Sequence, residues 1–286
     1  AGVGQYESRR PAQQRYDATP ATVEEFREIA CAAAAYTGPN GEDAQGFAIT
    51  TGASLFESFV ANRGGAIFQD GQYTFTTPEV IDSLTLYKEM YDAGCAYIPA
   101  ERFAEQTDLA LGVTPFMATS TAGFTFVLQA FIDAGNEAPN LAVTTLPHTE
   151  GSEAIQVFIP SIIMAPGTPE AQLASWLFLK FLIEAESGAQ WSGGTGYFNP
   201  VLSAAPLTTA ENFARADVFP YYAAANAYLS NPDVRVYSGP QVVSYGTVRS
   251  LVSEAIANVT SNGMDVMEVA EALNAAANAA HAESME

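Results

Sequence analysis

Threonine followed by proline recurs at residues 19–20, 77–78 and 168–169, each time ahead of a run with helical spacing. A Thr side chain can accept from the orphan N–H groups of a first turn, and Pro at the first helical position gives up a donor that would have no partner. Glu24, Glu25 and Glu170 follow, where the positive end of the helix dipole favours them. The helices so marked alternate with short apolar runs. "QGFAITT", "GVTPFMATS", "NLAVTTLPH" and "VFIPSIIMAP" read as strands, the last with alternation weak enough to predict burial on both faces. "AIF" and "YTF" flank the turn "QDGQ" as a small hairpin. Further helices are expected over "SLFESFVANRGG", from Thr77 to Gly94, after Gly123 to about Asp133, and as a pair over 168–194. Residues 1–20 carry no periodic pattern, and the stretch after Pro200 reads as almost wholly helical. This alternation predicts the α/β class.

The 286 residues suffice for one large domain or two smaller ones. Eleven basic residues stand against 32 acidic ones, for a net charge of −21. A nucleic-acid partner needs a basic footprint to displace counterions, so that class is excluded, and adhesion to anionic lipid is disfavoured for the same reason. The longest apolar runs, such as "WLFLKFLI", fall well short of the ~20 residues of a membrane span. The chain begins "AGVGQYESRR", without Met, so a processed leader or a fragment is expected. Cys31 and Cys95 are the only cysteines, and no metal site is expected because a closed zinc site needs four ligands. Their spacing leaves one disulfide or two buried thiols open.

"QWSGGTGYFNPV", residues 190–201, holds three glycines in four positions. A phosphate cradle needs a strand before the glycines and a helix after them, with Lys at the end of a Walker motif. Here a helix precedes, no lysine follows, and Pro200 lies just downstream, so a glycine-rich helix exit is the better reading. No cofactor is expected. Nor is there a Gly-x-Ser-x-Gly elbow, and neither His148 nor His281 stands by a promising nucleophile. His148 is expected in a surface loop and His281 in a solvated C-terminal tail. Paired acids such as Glu24 and Glu25 sit at helix starts, where capping explains them, and no catalytic residue is assigned. Among the 13 Tyr, 17 Phe and 2 Trp, those beside glycine turns are candidate pocket residues: Phe124, Tyr197, Phe198 and Tyr245.

Eight stretches, in order, resemble the extracellular solute-binding proteins of ABC importers, the family that includes maltose- and glycerol-3-phosphate-binding proteins. They are "TPATVEEFREIA", "ANRGGAIF", "TPEVIDSLTLYKEMYDAG", "GVTPFMATSTAG", "NLAVTTLPH", "TPEAQLASWLFLKFL", "AQWSGGTGYFNPV" and "VRSLVSEAIANVTSNG". The resemblance implies a periplasmic-binding-protein-like (type II) fold of two lobes closing on a ligand. Nothing here matches the family's N-terminal export signal and first strands. The resemblance therefore implies a second lobe over 1–156 and 198–286, with 157–197 as a returning segment of the first, and "GYFNPV" as the crossing back.

The resemblance also implies a non-catalytic role: binding a carbohydrate and delivering it to a permease, as an extracellular or periplasmic monomer, membrane-anchored through a lipoprotein N-terminus outside this chain. A glycerol-phosphate-type ligand is the alternative, and an extracellular carbohydrate-active enzyme the rival class. The family's second-lobe contacts map onto Ser54 and Phe56, onto Ser120, Thr121, Gly123 and Phe124, onto Thr195 and Tyr197, and onto Tyr245 and Arg249. The last two lie four residues apart and can share a helix face. Tyr245 would then stack on a ring while Arg249 donates its fork to hydroxyls or a phosphate. Export to an oxidising compartment favours a Cys31–Cys95 disulfide.

Overall fold

The computed structural model describes residues 19–37, 43–136, 141–158 and 161–286, together with the backbone of residues 2–6. The strand β1 (Gly2–Tyr6) precedes α1 (Val23–Ala34), β2 (Phe47–Ala48), α2 (Ala53–Ala61) and the hairpin β3 (Phe68–Gln69) and β4 (Gln72–Tyr73). Then come α3 (Pro78–Asp92), β5 (Ala96–Tyr97), α4 (Ala104–Ala110), β6 (Phe116–Thr119), α5 (Phe124–Asp133), β7 (Leu141–Thr144) and β8 (Ala154–Gln156). The chain ends with α6 (Pro169–Leu182), α7 (Ala185–Thr195), α8 (Phe219–Leu229), β9 (Arg235–Tyr237), α9 (Tyr245–Val259) and α10 (Val266–Glu283). β1 lies between β6 and β7 and runs antiparallel to both, whereas β2–β5 and β8–β9 are parallel pairs.

Helix starts follow the expected chemistry with two departures: Thr77 precedes α3, with Pro78 at its first position, but its side chain makes no capping hydrogen bond, and α1 is shifted. Thr168 caps α6 by accepting from the Ala171 N–H, but α1 starts later than Thr19-Pro20 implies. Its cap is Thr22, in a reciprocal box with Glu25: Thr22 Oγ1 accepts from the Glu25 N–H, and the Glu25 carboxylate accepts from the Thr22 N–H. The box satisfies two donors, where Thr19 followed by Pro20 could offer only a cap.

α2 is the central helix. Eight of its nine residues are buried. Phe56 and Phe59 face Tyr87 of α3, with ring centroids 6.1 Å and 5.5 Å away. Phe26 of α1 lies 4.9 Å from both Phe47 and Phe116, so α1, β2, β6 and α2 share one aromatic core. α9 and α10 close the far side through Val248, Val252, Ile256, Leu273 and Ala277. α10 also holds the hairpin by its polar residues: Asn274 accepts from the Phe75 N–H, and Asn278 exchanges two hydrogen bonds with the Tyr73 backbone. His281, expected in a solvated tail, is 8% exposed instead. It packs edge-on to Phe68 and Tyr73, and its Nδ1 is 3.0 Å from Ser244 Oγ, because α10 runs past the hairpin to Glu283.

Four other expectations change. Residues 2–6, without periodic pattern, form the middle strand of a sheet, since two neighbouring strands supply the ladder that propensity alone would not. β8 ends at Gln156, before the strand expected over "VFIPSIIMAP" would begin; of that run, residues 159–160 lie outside the described residues, and residues 161–168 are exposed and pair with no strand among the described residues. The helix expected from Asn212 begins only at Phe219, after a 3-10 turn at Ala210–Asn212. β9 interrupts the stretch read as wholly helical because β8 offers it a parallel partner.

The glycine run closes α7. Gly196 caps it in the left-handed region, with φ of 73°, and its N–H donates to Ser192 O. Gly193 lies where a Cβ would stand 1.9 Å from Asn212 O, so the 3-10 turn and α7 meet through bare backbone. By contrast α6 buries none of its residues: Leu173, Trp176, Leu177, Phe178 and Phe181 are each more than half exposed.

Cys31 and Cys95 are joined as a disulfide, with Cα atoms 4.3 Å apart, tying α1 to the end of α3. The bond closes a loop of 64 residues, for which chain entropy gives about 4 kcal/mol of stabilisation. Intact mass under non-reducing conditions should show no free thiol, and reduction should lower the melting temperature; two alkylatable thiols in the native protein would exclude the bond.

Gly193 and Gly194 make a matched pair. Gly193→Ala forces the Cβ into the Asn212 carbonyl and should cost about 1–3 kcal/mol, the range for overpacking. Gly194→Ala meets nothing within 4 Å inside the same helix and should gain roughly 0.5–1 kcal/mol. Urea midpoints of the two variants should move in opposite directions.

Candidate functional site

An open cleft of about 970 Å³ lies where the ends of several elements converge. The β2–α2 turn supplies Thr50, Thr51 and Gly52, and α2 itself supplies Ser54 and Ser58. The segment after β5 supplies Ile98 to Phe103, and α4 adds Glu105 and Gln106. The end of β6 brings Thr119, Ser120 and Gly123; Phe126, Gln156, Phe158 and Ser253 complete the lining. Strand ends and helix starts put hydroxyls and backbone groups on the surface of the cleft. Three large rings stand among them in solvent: Phe103 is 54% exposed, Phe126 64% and Phe158 49%. Phe103 also has a φ of 70°, unusual for a bulky residue, and the Arg102 guanidinium lies 4.5 Å from its ring centre.

A polar network supports the cleft from behind. Glu57, 5% exposed on α2, accepts a hydrogen bond from the Tyr245 hydroxyl. Arg249, one turn along α9, donates to Ser54 Oγ at 2.8 Å and to Tyr245 Oη at 3.3 Å, and its guanidinium lies 5.5 Å from the Tyr245 ring centre. Tyr237 of β9 donates to Ser58 Oγ, which donates to Ser54 O. Burial pushes the Glu57 carboxyl above the usual carboxylate range, and the Tyr245 hydroxyl, Gln156 and the Arg249 charge partly offset it. Gln156 stands beside that carboxyl, yet its Nε2 makes no well-aligned hydrogen bond. Burial, then the Glu57 charge, raises the Tyr245 phenol, keeping it a donor.

The sequence candidates divide between these layers. Ser54, Ser120 and Gly123 line the cleft. Tyr245 and Arg249 do share a helix face, but they stand behind Ser54 and outside the lining. Thr121 is buried, its carbonyl 2.9 Å from where a Cβ on Gly196 would lie, so the end of α7 is packed on the turn after β6. Thr195 spends its hydroxyl on Trp191 O and on the Tyr197 N–H. Tyr197 is 40% exposed and does not line the cleft. Phe56 and Phe124 belong to the core. Phe56 is 0% exposed against Tyr87, and Phe124, 6% exposed, packs near Tyr221 in a second cluster. Each lies on the helix face turned inward, away from the cleft. His148 is half-buried in its loop.

Sequence reasoning missed Phe103, Phe126, Phe158, Arg102, Glu105 and Gln156. For Phe126 a signal existed. The buried stripe of α5 is Phe124, Val127, Leu128 and Phe131, which leaves Phe126 off the helical period. The other five lie in or beside irregular segments, where no periodicity applies.

Among the described residues no group of His, Cys, Asp and Glu could hold a metal ion, and no helix is long and apolar enough to cross a membrane. No curated protein matches the chain by sequence. Solved structures share the fold at low identity. UgpB from Mycobacterium tuberculosis, in complex with glycerophosphocholine, is 18% identical, with 100% of this chain and 69% of that one covered at a TM-score of 0.71. The sugar-binding protein MalE from Xanthomonas citri gives 16%, 99%, 69% and 0.70 for the same quantities. An ABC transporter solute-binding protein from Agrobacterium radiobacter, in complex with ribitol, gives 19%, 97%, 68% and 0.67. These are type II periplasmic binding proteins, and the present α/β arrangement is of that type. The model of the bacterial extracellular solute-binding proteins matches residues 8–219, and with the fold and the cleft this makes the chain a member of that family.

Proposed function

We propose that the chain is part of the substrate-binding component of an ABC importer, and that it binds a carbohydrate in the cleft and delivers it unchanged to a permease. The observation that carries the ligand class is the cleft lining: exposed phenylalanine rings beside Thr50, Thr51, Ser54, Ser120 and Gln156. Sugars offer apolar ring faces to such rings and hydroxyls to such polar groups. Solved relatives bind ribitol, maltotriose and tagatose, which supports the same class.

The protein works outside the cytoplasm as a monomer, and a lipoprotein anchor would keep it near the permease. Residues 157–197 are the returning segment of a first lobe. The apolar faces of α6, open here, are where the rest of that lobe packs, in keeping with the 69% of UgpB that the chain spans. A glycerol-phosphate-type ligand is the second reading, favoured by the glycerophosphocholine complex of that relative. Arg102, on the cleft wall, would then hold the phosphate, since Arg249 is engaged by Ser54. Arg249 serves the ligand through Ser54, whose hydroxyl it holds.

Calorimetry of the full-length protein against a sugar panel should give saturable binding, with the ligand recovered chemically unchanged after long incubation. Turnover of a bound sugar would move the protein to the enzyme class. Arg249→Ala should weaken binding by about 1–2 kcal/mol, near the range for a hydrogen bond to a charged group, and Arg249→Lys should restore little because the fork is lost. Wild-type affinity in the Ala variant would leave Arg249 a purely structural role.

Glu57 gives a pH signature of the supporting network. Its folded-state proton affinity is raised, so the folded protein holds that proton above the ordinary value of 4.5, where the unfolded chain releases it. Stability from this group is present below that value and is lost as pH rises through the folded one. Glu57→Gln keeps an acceptor for Tyr245 and removes the titration. Its melting temperature should gain on wild type as pH rises across that window, and parallel curves would exclude Glu57 as the source.

A further inference from the structure

Glu105 is 6% exposed and yet lines the cleft. Among the described residues its carboxyl has no cationic partner; its own backbone N–H is the one hydrogen-bond donor it meets, and Asp108 nearby repels it. A buried carboxylate without a counter-charge is costly, and burial pushes this one up accordingly. Glu101 adds a second acid to the same wall. Arg102 neutralises neither, for it lies over the Phe103 ring and forms no ion pair among the described residues.

The three exposed rings share this cleft with the two acids. An aromatic face attracts a cation through its quadrupole, and Arg102 over Phe103 shows one such face already taking a cation. Gln156, 3% exposed, lines the same space, with its Oε1 accepting from Ser58 Oγ. We infer that the solute carries a cationic ammonium head, primary or methylated, on a hydroxylated body, with the head held by Glu105 and the phenylalanine rings and the body by Ser54 and Gln156. This rests on the reading of the cleft as the ligand site and narrows its substrate class. The net charge of −21 assists, because it draws cationic solutes toward the protein at low salt.

The test is calorimetry of the full-length protein with glycerophosphocholine, choline and glucosamine against maltose and ribitol, in wild type, Glu105→Gln and Phe126→Ala. At least one ammonium-bearing solute should bind ten times or more tighter than either neutral one; choline compounds against glucosamine tell a methylated head from a primary one. Glu105→Gln should remove at least about tenfold of that affinity and leave the neutral solutes unchanged, the direction expected for a lost charge-assisted bond. Phe126→Ala, which removes an exposed ring and should leave the melting temperature intact, should cost the cationic solute about fivefold. Tighter binding of maltose or ribitol, or equal losses for charged and neutral solutes in Glu105→Gln, would overturn the inference while leaving the sugar-binding reading in place. Failure of all five solutes to bind would count against both.

Discussion

The structure depends on the burial of α2 from all sides. A nine-residue helix with a single position only partly buried must satisfy every polar group it carries, and it carries Glu57, Ser58 and, just past its end, Asn62. Its apolar residues take the aromatic core with Phe26, Phe47 and Tyr87. Its polar ones recruit the rest of the chain. Asn62 accepts from the Ala154 N–H and donates to Ala154 O, which fixes where β8 runs. Arg235 of β9 reaches Ala61 O, and Glu57 takes the hydroxyl of Tyr245 at the start of α9. A buried polar group left unpaired costs about 1–3 kcal/mol, so these contacts hold distant segments in register with the helix.

The cleft is a by-product of the same constraint. Ser54 stands at the first turn of α2 and Ser58 one turn further, with hydroxyls fixed by Arg249 and Tyr237. Polar atoms that face a ligand are thus set before it arrives, which lowers the ordering cost of binding. The rim is built differently. Phe103, Phe126 and Phe158 stand in water and contribute no core packing, and Phe103 does so from a left-handed backbone. A rigid polar floor beneath exposed rings matches a solute with one hydroxylated side and one face for stacking.

Much of the fold was legible because helix period and capping are local. The Thr168 cap of α6, Pro78 at the start of α3 and the hairpin after Gly65 all follow from short-range chemistry. What failed was non-local. β1 has no pattern of its own and is made a strand by β6 and β7, while 161–168 has a strand-like pattern and no partner strand among the described residues. The site divided the same way. Tyr245 and Arg249 were marked by the family resemblance and four-residue spacing gave them a common face, but whether that face met the cleft or its back wall depended on where α2 lay. Phe124 was chosen for standing beside a glycine turn and Phe56 through the family resemblance, and the helix period carried both into the core. Glu105 and Gln156 could not be found, because burial against segments far away in sequence is what makes a single acid or amide unusual.

The glycine run shows how an ambiguous local signal is resolved by packing. "SGGTG" is compatible in composition with a phosphate cradle, but its three glycines do different work. Gly193 admits the Asn212 carbonyl, Gly194 faces open space, and Gly196 turns the chain left-handed against Thr121. None of them leaves backbone N–H groups converging on an empty site: the Gly196 N–H is spent on Ser192 O. The run therefore serves as a seam. It lets α7 end against the turn after β6, so the exposed α6 is carried by a rigid joint beside the cleft. Ala122 and Gly123 of that turn line the cleft, so Gly196 at the end of α7 abuts the binding surface directly.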